Sequence, residues 1–467
     1  MNKFLKYGCL IAVGILTAYS YKIWTNYQFK DSLKYDKTQL LQAKLDISSI
    51  KIDGTNDIWN VKSDSKLTCF KLVFKGEGLR AFPRNGSLLT VLCNTIPEGA
   101  GERDDIAFKK VLEDNSIDLN IDFDNDDVIV SCSCLERYFD LAMDLICDML
   151  TKARLKSDKI EFSKQAVVTS IQQNIFTPSY LANEKLQNLI FAKDHPYQYS
   201  IKENLEKAKT LTKSDIDNLY KKLFNPKDLN VTIVSAIDQE KIKAKFENLI
   251  SSLKKAKTGI DSQKVEQKSE LAQKGTHEHV ELDNPQSTIM FAMPGVLRNA
   301  SDRFAALIAI DAFGNAGIVS RLGIAVREKS GLVYGIGTKT VDSDLQAYIE
   351  GIAATRPENV EKVIEKVKEE CRKIIENGIT KDELQQYMIR RFAGNAFDSM
   401  HSILNFVSTL RGQEVGIDKI NSYLDNFKKL TLKEVNEAIK KIFNPDNIIF
   451  VDCGNKVEGK DTKKESR

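Results

Sequence analysis

The chain has 467 residues, a length that at about 100 to 200 residues per domain calls for two or three domains and excludes a small stapled module. Its 68 Lys and Arg against 65 Asp and Glu leave a net charge of +3, and 42% hydrophobic with 28% charged residues is the balance of a globular protein. A phosphate-reading surface needs a much larger basic excess, and the longest basic cluster is only Lys254, Lys255 and Lys257, so no nucleic-acid partner is expected.

Lys3 and Lys6 precede an uncharged run from Tyr7 to Tyr21, and no acidic residue occurs before Asp31. That pattern is an export signal, with Ala18-Tyr19-Ser20 offering a cleavage site; left uncleaved, residues 1–20 would be an N-terminal membrane anchor. The expected location is therefore the periplasm or the periplasmic face of the inner membrane. Cleavage would remove Cys9 and leave seven dispersed cysteines, which is not a disulfide framework. Phe70–Phe74 and Asp127–Cys134 read as strands, and on the second Cys132 and Cys134 share one face as small buried apolar residues. Glu136–Leu150 carries Phe139, Ala142, Met143, Ile146 and Leu150 at helical spacing.

At Leu211 begins LTKSDIDNLYKKLFNP, and at Leu430 begins LTLKEVNEAIKKIFNP, an offset of 219 that also pairs Phe224 with Phe443 and Pro226 with Pro445. In each copy a Thr opens an amphipathic helix, Asn-Pro closes it, and an apolar strand follows. The chain is thus duplicated, with a first domain over 45–250, a linker over 251–284 rich in Lys, Gln, Glu and Ser, and a second domain over 285–455. The second contains a strand, Ala347–Ile352, and a helix over Pro357–Gly378; residues 456–467 are a polar tail. Helices laid on sheets give the class α+β or α/β.

The segment SRLGIAVREKSGLVYGIG, Ser320 to Gly337, resembles the second-half signature of the insulinase or pitrilysin-like (M16) metallopeptidases, the family of the mitochondrial processing peptidase. GAGERDDIAFKKVLEDNSI from Gly99, FAKDHPYQYS from Phe191 and the duplication agree with it in order. The resemblance covers about Ile50 to Gly454 and implies an α+β, sandwich-like fold: two homologous halves, each a mainly antiparallel sheet covered by helices, in a clam-shell arrangement.

Active members of that family hold zinc with His-x-x-Glu-His on a first-half helix and a Glu about 76 residues further on, because two His at i and i+4 share one helix face with the Glu as general base. Here Leu89, Leu92 and Cys93 stand at the three motif positions, and Ser170 falls at the distant one. Two leucines, a Cys and a Ser fall short of the three protein ligands that a catalytic zinc needs. No register shift repairs this, since the only histidines are His195, His277, His279 and His401, and none precedes position 195. His277 and His279 lie in the linker, and the other two are isolated, so all four read as structural.

The second half retains more. Arg327 and Tyr334 match the family's Arg and Tyr, which in active members face the zinc from the opposite half and stabilise the oxyanion. Gly314, Asn315, Ala316 and Gly317 stand where relatives carry a glycine-rich loop that meets substrate or partner. Some bacterial members are heterodimers of a zinc-bearing and a zinc-less subunit. The resemblance therefore implies a non-catalytic subunit, with no cofactor in this chain and zinc in a homologous partner. It would enclose a peptide substrate with that partner and donate Arg327 and Tyr334 in trans. The alternative is a peptide-binding or structural core protein outside proteolysis, like the core subunits of the respiratory bc1 complex.

Overall fold

A computed structural model describes residues 44–260, 267–394 and 399–456. The expected leader, residues 1–20, and all of the polar tail beyond Lys456 lie outside these residues.

Strands run β1 (Ile47–Ile50), β2 (Ile58–Lys62), β3 (Leu67–Phe74), β4 (Asp118–Phe123), β5 (Val128–Leu135), β6 (Leu229–Ser235), β7 (His277–Glu281), β8 (Ser287–Pro294), β9 (Val333–Asp342), β10 (Ala347–Thr355) and β11 (Ile449–Gly454). First-half helices are α1 (Gly86–Thr95), α2 (Asp105–Asp114), α3 (Phe139–Thr151), α4 (Ser157–Asn174), α5 (Pro178–Ile190), α6 (Ile201–Thr210), α7 (Lys213–Lys222) and α8 (Gln239–Ala256). Second-half helices are α9 (Arg303–Ile310), α10 (Val360–Asn377), α11 (Lys381–Gly394), α12 (Met400–Gly412), α13 (Ile420–Lys428) and α14 (Leu432–Ile442).

The first sheet has the order β1-β2-β6-β3-β5-β4 and the second β7-β11-β8-β10-β9. With β1 set aside the two orders are the same, and each sheet has a single parallel pair, β2 with β6 and β11 with β7. The repeated segment explains the match. Thr212 and Thr431 each form a reciprocal capping box, with Asp215 and Glu434, at the start of α7 and α14. Asn225 and Asn444 then cap the short turns that turn the chain into β6 and β11. Thr431→Ala should cost about 1 kcal/mol, read as a lower urea midpoint, whereas Thr431→Ser should hold the wild-type value.

Each sheet buries one face under its own helices. β5 alternates buried and half-buried positions along its length, and its inward Val128, Val130, Cys132 and Cys134 pack with Phe70, Phe139 and Phe246 in the first-half core. Cys132 and Cys134 are therefore core residues, and the seven described cysteines are all free. In the second half Ile289, Phe291, Ile349 and Ala353 pack against Val363, Val367 and Cys371 of α10.

The other faces turn toward each other like the valves of a shell, and each is covered by a helix from the opposite half. Ala182, Leu186, Leu189 and Ile190 of α5 pack on Met290, Ala292, Tyr348, Ile449 and Val451 of the second sheet. Reciprocally, Leu404, Phe406, Val407 and Leu410 of α12 pack on Val61, Cys69 and Val234 of the first.

The linker expected over 251–284 is narrower than its composition suggests. Its first six residues complete α8, and His277–Glu281 form β7, the edge strand parallel to β11. The strand is polar because His277, His279 and Glu281 alternate on one surface and leave only Val280 to pack inward. No helix among the described residues is long and apolar enough to cross a membrane.

Candidate functional site

Helix α1 delivers Leu89, Leu92 and Cys93 to the first-half core, where the two leucines are fully buried and Cys93 nearly so. Cys93 lines a crevice of about 720 Å³ between α1, α4 and the free edge of β4, together with Asn120, Lys159, Phe162 and Ser163. Burial pushes its thiol far above the ordinary thiol range, which disfavours the thiolate that a nucleophile needs. The opposing helix is in a different register from the one expected. Ser163 and Ala166 line the crevice, whereas Ser170 is exposed and does not. Ser170 lies two helical turns beyond Ser163, about 10 Å along the axis. The Ser163 hydroxyl is buried without a partner.

Both lysines at this crevice are paired. Lys109 pairs with Glu98 at 2.6 Å, and Lys159 pairs with Asp105 at 2.6 Å and Glu98 at 3.5 Å. Leu89, Leu92, Cys93 and Ser163 offer zinc one sulfur and one hydroxyl, short of the three protein ligands that a catalytic zinc takes. Among the described residues, no group of three or more His, Cys, Asp or Glu side chains is arranged to hold a metal ion.

The four histidines are far apart in role. His195 stacks on Phe191 at 4.6 Å, and burial with the Lys268 charge lowers its pKa. His277 and His279 bond the two oxygens of the buried Asp452 at 2.7 and 2.6 Å. Burial alone would lower the His279 pKa, but Asp452 and Glu281 outweigh it and raise it. His401 of α12 lies 3.8 Å from the Cys69 sulfur.

The structure brings Arg327 and Tyr334 together. Arg327 sits on a wide helical turn, Gly323–Lys329, and its guanidinium carbon lies 5.8 Å from the Tyr334 ring centroid, a cation–π distance. β9 is an edge strand whose Val333 and Ile336 are buried, and Tyr334 between them is 86% exposed. Ile318 and Ile324 beside this turn are also exposed. The phenol thus stands on the surface with the half-buried Arg327 beside it, and the crevice of the first half is lined by first-half residues alone.

Gly314 to Gly317 do not form an open loop. Asp311–Asn315 make a wide helical turn that Ala316 closes, and of the four residues Gly314 and Ala316 are buried and only Asn315 is exposed. A side chain at Gly314 would meet Thr338 at 2.6 Å, so the glycine serves the packing of this turn on β9. Asn315 donates to Asp311 at 2.6 Å, and Arg391 grips the same carboxylate at 2.7 and 2.9 Å.

Residues 210–390 match the family model described as "Peptidase M16 inactive domain". The chain is a homologue of the M16 peptidases. This M16 homologue is 22% identical over 393 residues to the "Non-peptidase homolog YmxG" of Helicobacter pylori, a match covering 83% of this chain and 89% of that one. It is 25% identical over 248 residues to an uncharacterized zinc protease of Streptomyces coelicolor, of whose length it spans about half, 53%. Among solved structures, the peptidase M16 inactive domain from Pseudomonas fluorescens superposes with a TM-score of 0.81 at 20% identity, covering 88% of this chain and 99% of that one. The periplasmic protease PqqL from Escherichia coli superposes with a TM-score of 0.73 at 16% identity, covering 89% of this chain and 46% of PqqL. These likenesses agree with the two-sheet fold.

Sequence reasoning missed an ionic cluster between the two halves, built from Lys75, Arg80, Asp126, Arg298 and Asp344. Its only signal was the four acidic residues at the end of β4 and in the turn after it, Asp122, Asp124, Asp126 and Asp127.

Proposed function

We propose that this M16 homologue is the zinc-less subunit of a metalloendopeptidase, exported to the periplasm, where it pairs with a zinc-bearing homologue and encloses peptides with it. The observation that carries this reading is the Tyr334 phenol, 86% exposed on an edge strand with Arg327 against its ring. Placed over a partner's metal, the phenol and guanidinium would meet the scissile carbonyl and the oxyanion formed when water attacks it. Donors aimed at charge that develops only in the transition state are worth about 10² to 10³ in rate. The packing of α5 and α12 across the two halves argues in the same direction, because a chamber that opens and shuts is easier to form between two chains than within this one.

The test is reconstitution with a zinc-bearing homologue. The pair should cleave an unfolded peptide in a chelator-sensitive way while this chain alone is inert. In the pair, Arg327→Ala or Tyr334→Phe should lower kcat at least tenfold with KM and assembly unchanged. Cleavage by this chain alone with stoichiometric zinc would refute the reading. Full activity of both variants would favour a structural or peptide-binding role with no part in proteolysis.

A further inference from the structure

Between the two halves lies a cluster of carboxylates and cations that ties the β9–β10 turn to the first half. The Asp344 amide donates to Asp126 at 2.8 Å, and the Leu345 amide donates to the Tyr197 hydroxyl at 3.2 Å. The same hydroxyl donates to Asp126. The Asp344 carboxylate is held by Lys75 at 3.3 Å and Arg80 at 3.2 Å from the first half, and by Arg298 at 2.6 Å from its own. Arg80 also reaches Asp126 at 3.6 Å, and Lys75 pairs with Asp127 at 2.8 Å. Asp126 is buried, so two carboxylates, Asp126 and Asp344, meet at the joint and share Arg80.

We propose that Asp126, Tyr197 and Asp344 form a proton-operated latch between the two halves, firm when Asp126 carries a proton and slack when it is ionised. The physical basis is that an ionised Asp126 is buried and faces the Asp344 charge, and the burial cost and repulsion that a proton relieves outweigh the weakening of its bonds from Tyr197, the Asp344 amide and Arg80. Burial first, and then the Asp344 charge, push the Asp126 carboxyl up to about 6 from its ordinary 3.8, against the pull of Tyr197, the Asp344 amide and Arg80. Asp127, beside it, is raised by burial despite Lys75. Burial would also raise Asp344, but Lys75, Arg298 and Arg80 prevail and hold it below the usual carboxylate range. Asp344 therefore stays charged through the window in which Asp126 titrates.

The sign follows from linkage. A carboxyl whose pKa is higher in the closed joint than in the open one adds stability fully below the open-state value and loses it as pH rises through the closed-state value. The latch should therefore tighten between neutral pH and about 5, opposite to the loosening expected of an ordinary ion pair in acid. With 3.8 for the open state and about 6 for the closed one, the closed-to-open ratio should rise about tenfold from pH 7.5 to pH 5.

Hydrogen exchange of the Asp344 and Leu345 amides in the intact chain, corrected for the intrinsic pH dependence of exchange, reads this opening. Protection about tenfold greater at pH 5 than at pH 7.5 is expected, and protection that is equal or falls toward pH 5 overturns the latch. Asp126→Asn should abolish the difference, and a variant that retains it also overturns the proposal. Tyr197→Phe offers a second reading should the first variant fold poorly. It removes a bond that favours the ionised carboxylate, so the midpoint of the protection change should move to higher pH, and an unmoved midpoint counts against the assignment. The measurement uses this chain alone and is independent of any zinc-bearing partner.

Discussion

A chain ending at Ala256 should fail to fold, although it contains every strand of the first sheet. In the whole protein Leu404, Phe406, Val407 and Leu410 of α12 cover that sheet over Val61, Cys69 and Val234. Burying each such side chain is worth about 1.5 to 3 kcal/mol, so removing four forfeits about 6 to 12 kcal/mol. That equals the whole stability of an ordinary domain, about 5 to 15 kcal/mol. α5 would lose its seat as well, because its apolar face packs on the absent second sheet. Circular dichroism with denaturant should show no cooperative transition for the truncated chain, and a sharp transition near that of the full protein would contradict the exchange of helices.

Arg411→Met should strongly weaken the seat of α12 on the first sheet. Its guanidinium donates to the carbonyls of Val231 on β6 and of Asp57 before β2, and it lies 4.7 Å from the Trp59 ring centroid. Burial, only partly offset by Asp57, lowers its pKa to about 10, so it remains a cation at neutral pH. Met keeps the apolar stem but leaves the Val231 carbonyl without that donor in the interior. An unsatisfied buried group costs about 1 to 3 kcal/mol, and the lost charge-assisted bonds and cation–π contact bring the expected loss to about 2 to 4 kcal/mol. Urea denaturation of the variant checks this, and a loss under about 1 kcal/mol would mean that α12 is held by its apolar face alone.

The duplication was legible because its signals are local. A Thr that caps, an amphipathic period and an Asn-Pro stop each act within a few residues, and both copies kept them. The seats of α5 and α12 were not legible, because an apolar helix face says only that a helix is buried, not on which sheet. The strand β7 escaped notice because His, Glu and His on an edge carry no hydrophobic alternation. At the crevice beside α1, Cys93 faces Ser163 and not the expected Ser170, since Ser163 and Ser170 fall near the same face of α4 and spacing alone does not choose between them. The Arg327 and Tyr334 pair was legible as a motif, but its exposure is a property of the edge position of β9, which only the sheet order reveals.

The crossing of α12 onto the first sheet also sets an order of events during synthesis. The last strand of that sheet ends at Ser235, and α12 begins at Met400, 165 residues later. At about 5 to 20 residues per second, a ribosome needs on the order of 10 to 30 seconds to make the difference. For that interval the nascent first half presents Val61, Cys69 and Val234 uncovered, so the time when the polypeptide most needs a chaperone falls before its own C-terminal portion exists.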